Sequence, residues 1–147
     1  DYYAKRIEEC KTTADTTNLS REFLDDYVRR VRAAKETDEH SRQIQNICDY
    51  ISLHIREPLS IALLSDRLGY TEYYFSHKFK EVTGESVNNY IRQKKIEEAK
   101  LLLCSTKMSI QEISDELSFS SRSYFFSSFQ KETGISPTKY RQMHIKS

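Results

Sequence analysis

One stretch of thirteen residues, Arg122 to Gly134, reads RSYFFSSFQKETG and combines several kinds of side chain on a single predicted helix. At about 100° per residue, Phe125 and Phe129 share one apolar stripe, which we expect to be buried. A second face points outward in this prediction and consists of Arg122, Ser123, Phe126 and Ser127. The question is what an outward face with a guanidinium, two hydroxyls and an aromatic ring binds.

The cysteines and histidines do not form a metal-binding set. The histidines show neither HxxxH nor HExxH spacing, and the three cysteines, which lack any CxxC pair, are Cys10, Cys48 and Cys104. A tetrahedral metal site needs more ligands at closer spacing. We therefore expect no metal, and we interpret the cysteines as small buried residues in a reducing compartment.

A catalytic interpretation of the carboxylates is also disfavoured. The candidates are Asp66, Glu97, Glu98 and Asp115, and no cleft-forming motif or glycine-rich nucleotide fingerprint accompanies them. Solvated helix faces and helix caps explain these residues sufficiently. The sequence predicts neither an enzyme nor a cofactor.

Composition favours an all-α protein. The 147 residues include only three Gly and two Pro, and 31% are charged. Residues 1–40 carry a net charge of −2 and residues 41–147 a net charge of +3, a weak basic bias that is compatible with nucleic acid. Because no apolar run approaches about 20 residues and no signal-like segment is present, we expect a cytoplasmic protein without a membrane partner. Because the chain begins at Asp1 rather than Met, we expect a fragment of something longer.

The second part of the chain contains an internal repeat. Residues 59–92 match residues 108–142 at an offset of 49, which becomes 50 after one inserted residue, and twelve positions are identical. The identical pairs include Phe75 with Phe125 and Gly84 with Gly134. Such agreement is difficult to attribute to chance, so the sequence predicts a duplicated unit.

Both copies carry the same helix start and stop signals. Ser60 and Ser109 are suitable N-caps, and Ser109 with Glu112 fits a capping box. A turn and a second helix follow, and Gly84 and its counterpart Gly134 occupy C-cap positions. A short helix, a tight turn and a second helix constitute a helix-turn-helix arrangement. The first unit is predicted at about 59–84 and the second at about 108–134. A connecting helix at about 86–104, which Ser86 caps, joins them.

Three further helices are predicted upstream, and one downstream after Ser136-Pro137. The upstream helices cover residues 2–12, 20–35 and 41–56, with a Thr-rich loop, TTADTT, between the first two and a cap at Ser20. The third is amphipathic through Ile44, Ile47, Ile51 and Ile55 and stops before Pro58. We expect two domains, an N-terminal helical segment at 1–38 and a helix-turn-helix domain at 41–147.

Taken together, the two helix-turn-helix units, the connecting segment IRQKKIEEAKLLL and the closing GISPTKYR resemble the DNA-binding domain of AraC/XylS transcription regulators over about residues 42–144. The resemblance implies sequence-specific binding of double-stranded DNA and regulation of transcription. Recognition helices at about 71–83 and 121–132 would enter successive major grooves. RNA polymerase is a candidate partner, and the N-terminal helices could form a linker, a homodimer contact or additional packing.

The resemblance also assigns the residues that face the groove. In the first unit they are Tyr73, Ser76, His77 and, nearer the DNA backbone, Lys80; in the second they are Arg122, Ser123, Phe126 and Ser127. Arginine can donate two hydrogen bonds to guanine, and an apolar ring can contact thymine methyls. For Phe126 the alternative is packing against the connecting helix or a partner, and His77 could be a plain surface histidine.

The sequence departs from the family pattern in two places. Ser118 stands where the second turn usually has Gly, and a positive φ there would cost about 1 kcal/mol. Ser127 stands where the family often has a basic residue, so the second unit is predicted to bind DNA more weakly than the first. These departures and the low net charge leave one alternative open, a helical protein-interaction module derived from a DNA-binding domain.

Overall fold

The structure is a computed structural model that describes residues 2–145; Asp1, Lys146 and Ser147 lie outside the described residues. Eight α-helices and no strand are found within the described range, so the predicted all-α class is confirmed. In chain order the helices are α1 (Tyr2–Glu8), α2 (Thr13–Leu53), α3 (Ile61–Leu68), α4 (Glu72–Thr83), α5 (Val87–Ser105), α6 (Ile110–Glu116), α7 (Arg122–Thr133) and α8 (Pro137–His144).

The chain divides into two compact units between Arg42 and Gln43. In the N-terminal compact unit, which ends at Arg42, the rings of Tyr3 and Phe23 meet edge to face with centroids 5.1 Å apart. An ion pair of 3.0 Å joins Arg6 Nη1 to Glu22 Oε2. These contacts hold α1 against the N-terminal part of α2.

The predicted arrangement of the upstream helices is wrong in three respects. The TTADTT segment is helical from Thr13 onward, Ser20 is not a cap, and the helices predicted at 20–35 and 41–56 are parts of the single helix α2. This helix ends at Leu53, and α1 ends at Glu8 rather than near residue 12. The threonine and serine hydroxyls of this segment bond to backbone carbonyls four residues earlier, so they are satisfied within the helix and do not mark a loop.

The first helix-turn-helix unit is built as the repeat predicts. The Ser60 hydroxyl accepts a hydrogen bond from the backbone N–H of Leu63 and caps α3. Gly69 follows α3 with φ 68°, a left-handed conformation in which a side chain would be strained. Thr71 caps α4, and Gly84 ends it, again in the left-handed region. The caps thus delimit the two helices of this unit, α3 and α4.

The second unit repeats these devices with one difference. Ser109 and Glu112 form the predicted capping box at the start of α6, and Ser121 caps α7. The residue at the turn is Ser118, which adopts φ 54°, so the condition under which the sequence predicts a cost of about 1 kcal/mol is met. Its strain must be offset by contacts that a glycine would not make.

Helix α5 connects two separate hydrophobic cores. One core surrounds the buried rings of α4 and takes Val87 and Ile91 from the first part of α5. The other surrounds the rings of α7 and takes Ile96 and Ala99 from the following part. The connecting helix is thus α5, Val87–Ser105, with Ser86 as its N-cap.

Candidate nucleic-acid interface

Buried aromatic side chains hold α4 in place. Phe75 and Phe79 are fully buried, with ring centroids 5.8 Å apart, and the ring of Tyr90 on α5 meets Phe79 edge to face at 5.3 Å. The Thr83 hydroxyl donates to the Phe79 carbonyl at 2.8 Å. One side of α4 is therefore fixed against its core, and the opposite side is presented outward.

Equivalent residues hold α7 by equivalent contacts. Phe125 and Phe129 are fully buried with centroids 5.9 Å apart, and Tyr140 meets Phe129 edge to face at 5.3 Å. The Thr133 hydroxyl donates to the Phe129 carbonyl at 2.8 Å, the same distance as in the first unit. The expectation that Phe125 and Phe129 form a buried stripe is confirmed. The sequence repeat is thus also a repeat of side-chain geometry.

The residues predicted to face the groove in the first unit lie on one side of α4. Tyr73 is 76% exposed, His77 and Lys80 are exposed, and Ser76 is half-buried. The rings of Tyr73 and His77 lie 4.6 Å apart. This face combines a phenol, an imidazole, a hydroxyl and an ammonium group, all of which can hydrogen-bond to a polar partner.

The predicted residues of the second unit are also brought together, on the outward side of α7. Arg122, Ser123 and Ser127 are exposed, and Phe126 is 36% exposed. The Ser127 hydroxyl donates to the carbonyl of Tyr124 at 3.2 Å, so its hydrogen atom is used within the helix. The outward face that the sequence predicts is present, with a partly covered ring at its centre.

The two outward faces differ in charge although the helices are equivalent. Under the offset of 50 that aligns both N-caps, Arg122 corresponds to Glu72, and Lys80 corresponds to Gln130. One helix thus begins with a cation and the other with an anion. Gln130, an exposed amide one turn beyond Phe126, is not among the residues predicted from the sequence. The repeat offset was the signal that could have identified it.

A buried lysine fixes the turn that precedes α7, and no local sequence signal indicates it. Lys95 on α5 is 6% exposed, and its Nζ donates to the carbonyl of Leu117 at 2.6 Å. Burial lowers the pKa of this amine. The ammonium group also lies 5.6 Å from the ring centroid of Phe119. A cation at the last carbonyls of α6 is favourable and holds the turn against α5.

Among residues 2–145, no helix has the length and apolar character needed to traverse a bilayer.

A family profile described as a helix-turn-helix domain matches residues 64–143. The chain is 34% identical, over 115 residues, to an uncharacterised HTH-type transcriptional regulator of Staphylococcus aureus strain COL. That match covers 78% of this chain but 15% of the relative, so the chain spans about a seventh of the relative's length.

Solved structures show the same architecture. The C-terminal domain of AraT, a response regulator from Geobacillus stearothermophilus, superimposes with a TM-score of 0.68 and 27% identity, covering 71% of this chain and 88% of that one. A transcriptional regulator with an AraC-type DNA-binding domain, from Chromobacterium violaceum, gives a TM-score of 0.64 over 70% and 92% of the two chains. At 24% identity the second match establishes the fold alone.

Proposed function

The chain belongs to the AraC-type family of helix-turn-helix transcription regulators, and from this premise we propose that α4 and α7 are its two DNA recognition helices. Each would lie in a major groove, and the two grooves would be successive ones on the same side of the duplex. The observation that carries the proposal is the repeated geometry. Equivalent buried rings fix each helix, and each helix presents an exposed polar face on its other side.

The length of α5 supports this arrangement. Its 19 residues extend over roughly 28 Å at 1.5 Å per residue. Successive major grooves on one side of B-DNA are about 34 Å apart. A helix that holds one recognition unit near each end can match this separation, whereas a flexible linker would not fix the register.

Direct readout is assigned to the outward faces. Arg122 is the strongest candidate because a guanidinium can donate two hydrogen bonds to O6 and N7 of guanine. Phe126 would contact thymine methyl groups, and Ser123 and Ser127 would lie beside it in the groove. In the first unit, Tyr73, Ser76 and His77 would read bases, and Lys80 would contact the phosphate backbone.

Salt dependence separates this proposal from the alternative of an interaction module. Phosphate contacts release counterions, so affinity for DNA falls steeply as the salt concentration rises. Association through apolar side chains does not weaken in this way. The exposed cations of the proposed faces favour DNA, and Phe126 is the residue that would serve a protein partner instead.

Selection from random duplex DNA, followed by sequencing, is the experiment that tests the proposed function. The expected result is an enriched site with two short boxes whose centres lie about 10 base pairs apart. A single enriched box would mean that only one recognition helix reads DNA. If no sequence is enriched even at low salt, the DNA-binding proposal fails and the interaction module becomes the better explanation.

Substituting Ser127 with arginine is expected to increase the affinity for DNA. An added cation at this exposed position would gain one phosphate contact, and the plot of log affinity against log salt would become steeper by about 0.9. Fluorescence anisotropy at several salt concentrations measures both quantities. Ser52→Arg, at an exposed position of α2, is the matched control. Equal increases for both variants would contradict a specific role for position 127.

The N-terminal segment is proposed to serve as a linker or a homodimer contact. Several of its large apolar side chains are exposed, including Leu24 at 59% and Tyr27 at 60%. Sedimentation equilibrium of the full chain and of a fragment that begins at residue 41 would test dimerisation; a monomeric full chain would contradict it.

RNA polymerase remains a proposed partner. The proposed place of action is the cytoplasm, where a bacterial-type regulator meets chromosomal DNA.

A further inference from the structure

The two recognition units share a helix but not a core. Val87 and Ile91 of α5 belong to the first core, and Ile96 and Ala99 belong to the second. Because a single helix can bend, α5 by itself defines the distance between the units better than their relative orientation. A second connection between the units would restrict this bending.

Arg56 provides such a connection. It lies between α2 and α3, and its guanidinium contacts two carboxylates that belong to different helices. The distance from Nη2 to Glu98 Oε1 on α5 is 2.7 Å, and the distance from Nη1 to Glu116 Oε1 at the end of α6 is 3.1 Å. One side chain from the segment that precedes α3 thus joins the connecting helix to the second unit.

The backbone of the same residue makes a third connection. The Ser118 hydroxyl donates to the carbonyl oxygen of Arg56 at 2.7 Å. Ser118 holds φ 54°, whereas the equivalent turn of the first unit has Gly69 at φ 68°. A glycine at position 118 would adopt this φ with less strain but could not form the hydrogen bond. The strained backbone of Ser118 is explained if its hydrogen bond to Arg56 has a structural role.

We propose that Arg56, through Glu98, Glu116 and Ser118, fixes the relative orientation of α4 and α7 and thereby sets the spacing between the two DNA boxes that the protein accepts. Arg56 is a positioning residue in this proposal, which rests on the proposed function. Ion pairs at this exposure contribute little to stability, so the effect is expected in spacing preference rather than in folding.

The experiment measures affinity for a series of duplexes that carry the two selected boxes at the preferred spacing and at one base pair more or less. The test variants are the double substitution Glu98→Gln with Glu116→Gln, and the single substitution Ser118→Gly. Both leave the proposed DNA-contacting residues unchanged. The control is Glu57→Gln with Glu97→Gln, which removes two carboxylates that pair with nearby residues of their own segments, His54 and Lys100.

The wild type and the control are expected to prefer one spacing. In each test variant, the ratio of the affinity at this spacing to the affinity at the altered spacings is expected to fall by about fivefold. Because the removal of carboxylates also raises the affinity for every duplex, the relevant quantity is the ratio of the affinities at different spacings and not the affinity itself. Circular dichroism confirms that each variant is folded. An unchanged ratio in folded test variants would overturn the inference alone. Failure of the wild type to bind any duplex would overturn the proposed function, and with it the inference.

Discussion

Replacing Phe129 with alanine is expected to lower the free energy of unfolding by about 3–5 kcal/mol. The ring is fully buried and contacts Phe125 and Tyr140, so its removal leaves a cavity between α7, α5 and α8 that these helices cannot easily close. A domain of this size is stable by only about 5–15 kcal/mol, so the loss is a large part of the total. Urea denaturation followed by circular dichroism measures the change.

Phe126→Ala is the matched control because it removes the same ring from the same helix. At 36% exposure, Phe126 contributes less buried area, and we expect a loss of about 1 kcal/mol or less. This variant should remain folded while its affinity for thymine-containing boxes falls. Equal destabilisation by both substitutions would show that Phe126 is a core residue and would remove it from the proposed interface.

Replacing Arg122 with alanine is expected to abolish discrimination at one base pair of one box. A bidentate contact between arginine and guanine contributes about 1–3 kcal/mol of discrimination, which corresponds to a factor of about 5–150. Arg122 is the first residue of α7 and is exposed, so its removal should not disturb the fold. Competition binding with duplexes that carry single substitutions in each box provides the measurement.

The control for Arg122 is Lys80→Ala on α4, since a lysine that contacts phosphate carries no sequence information. This variant should weaken binding to all duplexes by a similar factor and reduce the salt slope by about 0.9. The box read by the other helix should remain fully discriminated in the Arg122 variant. Relaxed specificity in both boxes would mean that Arg122 acts through the structure of the whole domain, which contradicts direct readout.

The starts of α3 to α8, and the ends of α4 and α7, could be predicted because local side chains determine them. Ser60 and Ser109 form hydrogen bonds with the first turns of their helices, and Gly84 and Gly134 adopt a conformation that other residues avoid. These signals act within four residues along the chain. Each is therefore visible in the sequence without knowledge of the tertiary structure.

The extent of α2 could not be predicted by the same reasoning. Threonine-rich segments are common in loops, but neither Gly nor Pro interrupts residues 13–53, and the hydroxyls of Thr17 and Ser20 bond to carbonyls of the preceding turn. The true start signal is a reciprocal pair of hydrogen bonds between Thr12 and Asp15, inside the segment that was interpreted as a loop. Composition was a weaker guide there than capping.

The sequence located the candidate interface but not the contacts that position it. Periodicity is sufficient to place Phe126 one helical turn after Arg122, on a face beside the stripe that contains Phe129. The contact between Arg56 and Glu116 joins residues 60 positions apart, and neither residue has a local signature. Likewise, the burial of Lys95 depends on the path of the turn at Leu117, which becomes known only with the fold.

The separation of the two cores has a consequence for how such a protein can diverge. Within residues 2–145 the two clusters of buried side chains have no member in common, so a substitution on the outward side of α4 needs no compensation in α7. Effects at such distant sites are usually additive. Under the proposed function, each of the two DNA boxes can therefore change by itself. Nearly identical internal contacts beside unlike outward residues, such as Ser76 and Phe126, are the pattern that independent revision of two copies would leave.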